Sequence, residues 1–475
     1  MIHIPENSDT IAAIATPYGS GGVGIIKISG QQALQIARPL FRPKHTTGLS
    51  GTDAPQRNTV FRSHRLYYGY LIDPAANTVC DEVLIAYMQA PHSYTRENIV
   101  EINSHSGPAV LNYILKLVLN NGARLADPGE FTRRAFLNGR IDLTQAESVI
   151  DLINAQNEQA LAIANEHLKG GLRRKIEAVK NKLLEVLSLI EVSIDFPDDI
   201  HAEENIEELA VAGMTEIITV MQSLIRLYDD ADYLREGFKI SIIGKPNVGK
   251  SSLMNCLSEK DRSIVTNIPG TTRDLVSETV ILNGIPIVLS DTAGIQESQD
   301  EVEIIGIRKS RESLKNADLI LLVTDTSGQL TQDDFDIFNE VSKKLIILVH
   351  NKTDIIKADF KNMLPEHWKT VLTCYISAKN KQGIDDLRQK IVQRLNNRAN
   401  TSPSEMYVPN LRQKLALEKG ISPMRTALAE LKTQAPYEIV ALNLQETLSY
   451  LDEITGLTTS QDVLDMIFRN FCIGK

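Results

Sequence analysis

A glycine-rich loop is the part of the sequence best suited to phosphate chemistry. Gly244, Gly249, Lys250 and Ser251 have the spacing GxxxxGKS within "FKISIIGKPNVGKSSLMNCL". In this spacing, backbone N–H groups can surround phosphate oxygens, the lysine can reach the outer phosphates, and the serine hydroxyl can ligate Mg²⁺. The predicted phosphate loop comprises Asn247, Val248, Gly249, Lys250, Ser251 and Ser252.

Two later segments carry residues that suit a metal ion and a terminal phosphate. "PGTTRD" contains Thr271 and Thr272, and "VLSDTAG" ends an apolar strand with Asp291 and Gly294. A carboxylate or hydroxyl there can hold Mg²⁺ or its water shell, and a glycine N–H can contact the terminal phosphate. We predict Ser251 and Thr272 as the Mg²⁺ ligands. Further predicted nucleotide contacts are Thr266, Asn267, Ile268, Pro269, Gly270, Thr271, Thr272, Asp291, Thr292, Ala293 and Gly294.

A third set of residues points to guanine as the base. "LVHNKTD" ends an apolar strand with Asn351, Lys352 and Asp354. An aspartate there can accept hydrogen bonds from the N1–H and 2-amino groups of guanine, whereas adenine would leave the carboxylate unpaired. "SAK" (Ser377, Ala378 and Lys379) completes the predicted base pocket.

Composition limits the classes of partner. The formal net charge is −10 and 43% of residues are hydrophobic, as in ordinary globular proteins, so a broad nucleic-acid-binding surface is not expected. "KGGLRRK" at 169–175 is the densest basic stretch, and it is either a local RNA contact or a solvated helix start. The apolar runs are too short to cross a bilayer, and no signal peptide is visible, so we expect a cytoplasmic protein without membrane contact.

The pattern along the chain predicts a multidomain protein. Residues 1–125 alternate β-rich runs with one helical stretch, which is typical of an α+β domain. Helical periodicity fills 126–236 and 399–475, and apolar strands alternate with helices over 237–398, as in an α/β domain. Because either helical block alone would leave an apolar stripe uncovered, we favour one all-α domain with the α/β domain inserted, over three domains in series.

These motifs carry a resemblance to known families. The nucleotide motifs resemble those of the translation-factor-related GTPases, but Ile295 follows "DTAG" where Ras-like enzymes carry a water-orienting glutamine. The whole chain resembles the tRNA-modification GTPases of the MnmE (TrmE) family. The stretches that carry this resemblance are "IAAIATPYGSGGVGIIKISG", "PHSYTRENIVEINSHSG", "DPGEFTRRAFLNGRIDLTQAESV", "DFPDD", "GKPNVGKSS", "GTTRD" and the terminal "FCIGK".

The resemblance implies a reaction and its partners. The N-terminal domain would form a homodimer and bind 5-formyl- or methylene-tetrahydrofolate, and the inserted P-loop domain would be a Ras-like G domain. A flavoprotein, MnmG (GidA), would supply FAD and assemble with the chain as a heterotetramer. Together they would add an aminomethyl or carboxymethylaminomethyl group to C5 of the wobble uridine of certain tRNAs, with GTP hydrolysis driving conformational change.

The resemblance also assigns residues to GTP hydrolysis. Members of this family are similar in using K⁺, held partly by a P-loop asparagine, in place of an arginine finger, and Asn247 matches that residue. Thr266, Ile268 and Thr271 match the loop that would surround the ion, and Glu303 matches the water-orienting glutamate. For Glu303 the alternative is a solvated helix charge.

For folate, the matching residues are Lys27, Glu101, Arg140 and Lys475. A carboxylate suits the pterin N–H edge, and the cations suit the glutamate tail. The chain departs from the family pattern at Arg96, Asn98 and Ser106, which replace Gly, Asp and Gly. Arg96 could force a different turn near Glu101, because glycine tolerates a positive φ better than arginine does.

Cys472, close to the C-terminus, has three interpretations: a lipid attachment point, part of a reaction centre, or packing at the end of a helix. Lipidation is rejected, because "CIGK" has Gly474 where a prenylation box has a second aliphatic residue, and it ends in Lys475 rather than Ser, Met, Gln, Ala or Leu. In the family reading, Cys472 lies beside the one-carbon unit and adds to uracil C6, or the flavoprotein carries that covalent step instead. The chain as a whole could alternatively be a regulatory RNA-associated GTPase switch without modification chemistry, or a family member that has lost folate binding.

Overall fold

The chain folds into two compact units, which are described separately. Unit 1 consists of Met1–Ile150, His167–Ile218 and Ala416–Lys475, and unit 2 consists of Asp151–Glu166 and Thr219–Leu415. The structure is a computed structural model. It describes residues 9–17, 19, 21–44, 60–195, 206–231, 233, 237–258, 277–282, 285–291, 314–356, 364–399 and 407–475.

The described strands form one sheet in each unit. In unit 1 they are β1 (Ile11–Ile14), β2 (Gly24–Ser29), β3 (Phe41–Pro43), β4 (Arg65–Asp73), β5 (Thr78–Met88), β6 (Ile99–Ser104) and β7 (Arg124–Leu125). In unit 2 they are β8 (Phe238–Ile243), β9 (Ser277–Leu282), β10 (Ile285–Asp291), β11 (Leu319–Asp325), β12 (Ile346–Asn351) and β13 (Thr373–Tyr375).

The described helices follow the chain in order. Those before β8 are α1 (Ala33–Ala37), α2 (Pro108–Asn120), α3 (Glu130–Leu137), α4 (Leu143–Asn154), α5 (Glu158–Leu168), α6 (Gly171–Asp195) and α7 (Ile206–Ala231). Those after β8 are α8 (Lys250–Ser258), α9 (Gln332–Val341), α10 (Glu366–Lys369), α11 (Ile384–Ala399), α12 (Leu411–Lys432), α13 (Tyr437–Thr455) and α14 (Gln461–Arg469). Short 3₁₀ turns lie at Arg38–Leu40 and Thr353–Ile355.

The unit 1 sheet has two chemically distinct faces. Its strand order is β3-β4-β5-β6-β2-β1-β7, with antiparallel pairs except for the parallel β1–β7 pair. Ile26 and Ile28 of β2 and Ile102 of β6 are fully buried in its core. Because side chains alternate along a strand, Lys27 and Glu101 fall on the opposite face. The sheet therefore presents polar side chains directly behind its hydrophobic core.

The helical part of unit 1 contains α6 packed against α13. Apolar residues of α6 are buried at spacings of three and four, which is the period of one helix face. An ion pair between Lys180 and Asp452 joins the two helices, with 2.5 Å between Nζ and Oδ1. The buried α6 residues are Ile176, Val179, Leu183, Val186, Leu187 and Ile190. The "KGGLRRK" stretch opens α6, and its Arg173 pairs with Glu177 at 2.7 Å.

The helix α7 is long and apolar. By length and composition alone it is the single helix among the described residues that could cross a membrane. Its buried side chains recur every three or four residues, which is the pattern of a helix packed along one face in a protein core. They are Ala210, Met214, Ile217, Met221 and Leu224.

The sheet of unit 2 is mostly parallel. Its strand order is β13-β12-β11-β8-β10-β9. β12 is buried along its whole length, as in sheets that are covered by helices on both faces. One edge departs from the parallel arrangement, because β9 pairs antiparallel with β10. An edge strand has only one neighbour to match, so it can run in either direction.

The fold class is confirmed, with local corrections. The helical periodicity predicted over 126–236 is interrupted at Asn157, because its side chain accepts a 2.7 Å hydrogen bond from the Ala160 N–H and starts the new helix α5. At the predicted boundary after residue 398, the helix α11 continues to Ala399. The strand β9 was missed by the apolar pattern, because its sequence "SETVIL" mixes polar and apolar residues.

Candidate functional site

The phosphate loop of unit 2 lies between the end of β8 and the start of α8. A side chain at Gly244 would place its Cβ 2.3 Å from the Val323 carbonyl oxygen, so only glycine lets the chain turn there. Lys250 folds back over the loop and donates to the carbonyls of Gly244 at 3.0 Å and Lys245 at 2.9 Å. The backbone of the loop therefore curves around the ammonium group of Lys250. A phosphate-binding loop has this arrangement, in which the lysine lies where the outer phosphates bind.

Asn351 links the phosphate loop to the predicted base pocket. Its Nδ2 donates to the Val248 carbonyl at 2.8 Å, and its Oδ1 accepts from the Ala378 N–H at 3.0 Å. The side chain is almost fully buried, with 2% exposed. Because the amide nitrogen and the amide oxygen of Asn351 each bond to a different loop, this side chain fixes the distance between the phosphate loop and the "SAK" loop.

The residues predicted to contact the base form a second cluster. Ser377 donates to Asp354 Oδ1 at 2.6 Å, and this hydrogen bond lowers the pKa of the Asp354 carboxyl group. Lys352 has a left-handed backbone, with φ of 66°, and pairs with Asp325 at 2.6 Å. Asp354 is exposed and kept ionised at neutral pH, so its carboxylate can accept hydrogen bonds from a base.

The predicted metal ligands are only partly within the described residues. Ser251 and Ser252 are exposed in the first turn of α8, where a hydroxyl fits Mg²⁺ beside phosphate. Asn247 is exposed with φ of 65°, and its amide oxygen has the chemistry of a K⁺ ligand. In the described ranges, no group of three or more His, Cys, Asp or Glu side chains is placed to hold a metal ion.

Several predicted nucleotide residues lie outside the described part of the chain. Asp291 is the last residue of β10 and pairs in register with Ile242 of β8, which brings its backbone to the strand that leads into the phosphate loop. The residues outside the described ranges are Thr266, Asn267, Ile268, Pro269, Gly270, Thr271, Thr272, Thr292, Ala293, Gly294 and Glu303.

A second candidate site lies on the polar face of the unit 1 sheet. Lys27 of β2 and Glu101 of β6 are direct cross-strand neighbours, with 3.9 Å between Nζ and Oε1. The Lys27 ammonium group also lies 5.8 Å from the ring centre of Tyr94 and 5.5 Å from that of Phe131. Burial lowers the pKa of Lys27, Glu101 acts in the opposite direction, and the charge of Lys475 lowers it further. Three of the four predicted folate residues therefore interact.

Arg140 joins the same site through Tyr94. Its guanidinium group stacks 4.6 Å from the centre of the Tyr94 ring and donates to the Tyr94 carbonyl at 2.9 Å. The Tyr94 hydroxyl is in turn hydrogen-bonded to Thr132 of α3 at 2.9 Å. Sequence reasoning missed Tyr94 as a site residue. Its position within the stretch "PHSYTRENIVEINSHSG", which carries the family resemblance, could have indicated a role in the site.

The C-terminal tail is anchored next to this site. Phe468 and Phe471 are buried in a cluster with Phe136 and Leu143. Gly474 has φ of 92°, and a Cβ there would lie 2.5 Å from the carbonyl oxygen of Ile14, at the end of β1. Only glycine fits this close approach.

Cys472 is exposed on the anchored tail. Its carbonyl accepts from the Gly129 N–H at 3.4 Å and from the Lys475 N–H at 3.3 Å. These two contacts fix the backbone at the cysteine, while the thiol faces solvent. The arrangement leaves the sulfur accessible to a bound reactant.

The three departures from the family pattern are accommodated locally. Arg96 adopts φ of 60°, a left-handed conformation that glycine tolerates better than arginine does. Asn98 Oδ1 accepts from the Ala90 N–H at 3.0 Å, and Ser106 is buried and donates to the Gly19 carbonyl at 3.2 Å. The expectation that Arg96 could force a different turn near Glu101 stays a prediction.

Comparison with known proteins identifies the family of the chain. A family model described as "GTP-binding protein TrmE N-terminus" matches residues 10–140, and one described as "MnmE helical domain" matches residues 143–472. Proteins named "tRNA modification GTPase MnmE" align with 98% of the chain and 99% of their own length. They include those of Carboxydothermus hydrogenoformans (42% identical), Moorella thermoacetica (41%) and Clostridioides difficile (42%). Since both models and these near-full-length alignments agree, the chain belongs to the MnmE family of tRNA modification GTPases.

Proposed function

We propose that the chain is a K⁺-stimulated GTPase that modifies tRNA together with a flavoprotein of the MnmG (GidA) type. The pair adds an aminomethyl or carboxymethylaminomethyl group to C5 of the wobble uridine, and a one-carbon tetrahydrofolate supplies the carbon. The flavoprotein carries FAD, the chain acts as a homodimer within a heterotetramer, and the complex works in the cytoplasm, where its tRNA substrates are.

The nucleotide part of this proposal rests on unit 2. Lys250 binds the outer phosphates, and Asp354 accepts hydrogen bonds from the guanine edge. Ser251 and Thr272 would hold Mg²⁺, and Asn247, Thr266, Ile268 and Thr271 would hold K⁺. When bound, these cations would offset negative charge that develops on the phosphates during hydrolysis. Glu303 would orient the attacking water.

The folate part of the proposal rests on unit 1. Glu101 would accept hydrogen bonds from the pterin N–H groups, and Lys27, Arg140 and Lys475 would attract the glutamate carboxylates. The observation that carries the proposal is that Lys27 pairs with Glu101 while the tail that bears Cys472 is anchored at the end of β1 in the same sheet. The charge of Lys475, three residues beyond Cys472, lowers the pKa of Lys27. A GTPase that served only as a switch would have no use for this arrangement.

Cys472 would act on the uridine. Its thiolate would add to C6 of uracil and form an S–C6 bond, which moves the C5–C6 electron pair so that C5 can attack the one-carbon unit. Loss of the C5 proton would then expel tetrahydrofolate from the transferred carbon and leave an exocyclic methylene group on C5. Addition of ammonia or glycine to this methylene group would return the electron pair to the ring and expel the thiolate from C6. The exposed position of Cys472 supports this role. The alternative is that the flavoprotein carries the covalent step.

The test of this role is a wobble-modification assay with tRNA and flavoprotein present. Cys472→Ser is expected to abolish modification and to leave GTP turnover intact. Cys80→Ser, at the other cysteine that is not fully buried, is the matched control and should retain both activities. Normal modification by Cys472→Ser would assign the covalent step to the flavoprotein.

A titration and a rate comparison separate this function from the alternatives. We expect 5-formyl-tetrahydrofolate to bind in calorimetry, and GTP turnover to be faster in KCl than in NaCl. Equal rates in the two salts would support an RNA-associated switch. Potassium stimulation without folate binding would identify a member that has lost its folate site.

A further inference from the structure

A basic cavity opens next to the candidate folate site. Its volume is about 570 Å³, within the range of roughly 300 to 1,000 Å³ that small-molecule sites occupy. Four of its lining residues are cationic or can become so: His64, His92, Arg96 and Arg140. No carboxylate is among the described residues that line it. The cavity is thus suited to an anionic ligand.

Arg96 is held in place at this cavity. Its Nη1 donates to the carbonyl of Asn138 at 2.9 Å, and Asn138 in turn donates to the Thr95 carbonyl at 2.6 Å. Asn138 is the residue at which α3 ends, where backbone carbonyls carry partial negative charge and favour a guanidinium group. One N–H of Arg96 is used in this contact, and a guanidinium has five, so the group can bind a carboxylate while staying fixed.

Arg140 belongs both to the cavity and to the candidate folate site. It stacks on Tyr94, and Tyr94 also lines the cavity and lies beside Lys27. A ligand whose glutamate carboxylate reaches Arg140 therefore reaches the entrance of the cavity. Any extension of that ligand beyond its first glutamate would meet Arg96 and the two histidines.

We propose that this cavity binds the γ-linked oligoglutamate extension of the folate, so that the substrate class is polyglutamylated one-carbon tetrahydrofolates. The proposal rests on the proposed folate function and makes Arg96 a specificity-determining residue. Each added glutamate contributes one α-carboxylate. Guanidinium groups bind carboxylates through two parallel hydrogen bonds, and imidazoles add further donors.

The shape and charge of the molecule favour this ligand over nucleic acid. The basic residues surround a concave cavity, whereas a phosphate backbone needs a basic surface that extends along the strand. The net charge of −10 also disfavours an extended tRNA-binding surface over the chain as a whole. We therefore assign the cavity to an oligoanion of limited length.

The test compares monoglutamyl and triglutamyl 5-formyl-tetrahydrofolate in calorimetric titrations of the full chain. The wild type is expected to bind the triglutamate about tenfold more tightly, since one charge-assisted hydrogen bond contributes at least that much. Arg96→Gly is expected to reduce this ratio to below about threefold and to leave the monoglutamate affinity unchanged. Glycine suits the positive φ at this position, so the turn should persist.

A charge-matched control and a tRNA titration complete the experiment. Lys116→Ala removes one exposed positive charge from α2 of the same unit and should keep the wild-type ratio. Equal affinity of the wild type for both ligands, or an unchanged ratio in Arg96→Gly, would overturn the proposal that the cavity binds the oligoglutamate extension. Neither result would overturn the proposed folate function. Weaker tRNA binding by Arg96→Gly with an unchanged ratio would assign the cavity to RNA phosphate. If neither folate binds, the folate function itself is wrong.

Discussion

At the scale of single residues, the backbone conformation of Asn247 makes a clean test of the potassium hypothesis possible. The residue has φ of 65°, which alanine tolerates poorly and glycine tolerates well. Asn247→Gly therefore removes the amide and keeps the loop geometry. We expect GTP turnover in KCl to fall to the rate in NaCl, with guanine nucleotide affinity retained. A full potassium response in Asn247→Gly would show that this amide is not an ion ligand.

The base preference is a second property that one residue should decide. Asp354 accepts a hydrogen bond from Ser377 and presents its carboxylate as an acceptor. Asp354→Asn replaces an acceptor with a donor, which suits the O2 of xanthine and not the 2-amino group of guanine. We expect GTP affinity to fall by about 100-fold, or roughly 3 kcal/mol, and XTP binding to appear in fluorescence titrations. If Asp354→Asn still prefers GTP over XTP, then Asp354 does not contact the guanine edge.

At the scale of elements, the phosphate loop depends on a close approach between two segments. A Cβ at Gly249 would lie 2.3 Å from Asn351 Nδ2, and the glycine has φ of 99°. Gly249→Ala should therefore displace Asn351 and separate the phosphate loop from the "SAK" loop. We expect GTP affinity to fall at least about tenfold in a nucleotide titration. Gly328→Ala, which meets nothing within 4 Å, is the control in the same unit and should bind normally.

The C-terminal tail depends on a similar approach in unit 1. Gly474 has φ of 92°, and its Cβ would lie 2.5 Å from the Ile14 carbonyl oxygen. Gly474→Ala should lift Lys475 and Cys472 from the site. We expect weaker folate binding and loss of tRNA modification, with GTP turnover unchanged. Gly22→Ala serves as the control, because an added Cβ has open space there. Normal folate binding by Gly474→Ala would exclude the tail from the pocket.

At the scale of the whole molecule, the two units should respond differently to acid. His350 in the unit 2 sheet is fully buried, and burial lowers its pKa to about 4. The unfolded chain binds this proton near pH 6.5 and the folded chain does not, so unit 2 loses stability as pH falls from about 6.5 to 4. The full loss would be about 3 kcal/mol.

Unit 1 should lose stability only at lower pH. Burial tends to raise the pKa values of Asp9 and Glu130, but hydrogen bonds from Arg124 and Arg134 outweigh it and lower both. Carboxyl groups with a lowered pKa contribute stability that is present above their unfolded pKa, near 4, and is lost below it. Between about pH 6.5 and 5, the unit 2 transition should therefore weaken while the unit 1 transition does not, since the raised pKa of His105 in unit 1 acts in the opposite direction.

Thermal unfolding at several pH values measures this difference. GTP identifies the transition of unit 2, since a ligand raises the melting temperature of the unit that binds it. His350→Gln keeps a polar partner for Thr324, which is 2.6 Å from His350 in the native chain, and should flatten the pH dependence of that transition. A pH dependence that survives in His350→Gln would have to come from other groups.

The sequence by itself determined the fold class, the nucleotide loop and the family. These depend on local rules, because the GxxxxGKS spacing, the strand that precedes it and the 3.6-residue period of the helices can all be recognised without distant contacts. It also identified Lys27, Glu101, Arg140 and Lys475, but only through resemblance, since isolated charges have no periodicity that reveals a common site.

The tertiary structure decided what these residues touch. Strand register makes Lys27 and Glu101 neighbours, although 73 intervening positions separate them in the chain. Tyr94 and Arg96 became visible as parts of a site only when the turn around them met the end of α3. The physical reason is that register and packing follow from the burial of many side chains at once, whereas motifs and helix periods are set by residues close in sequence.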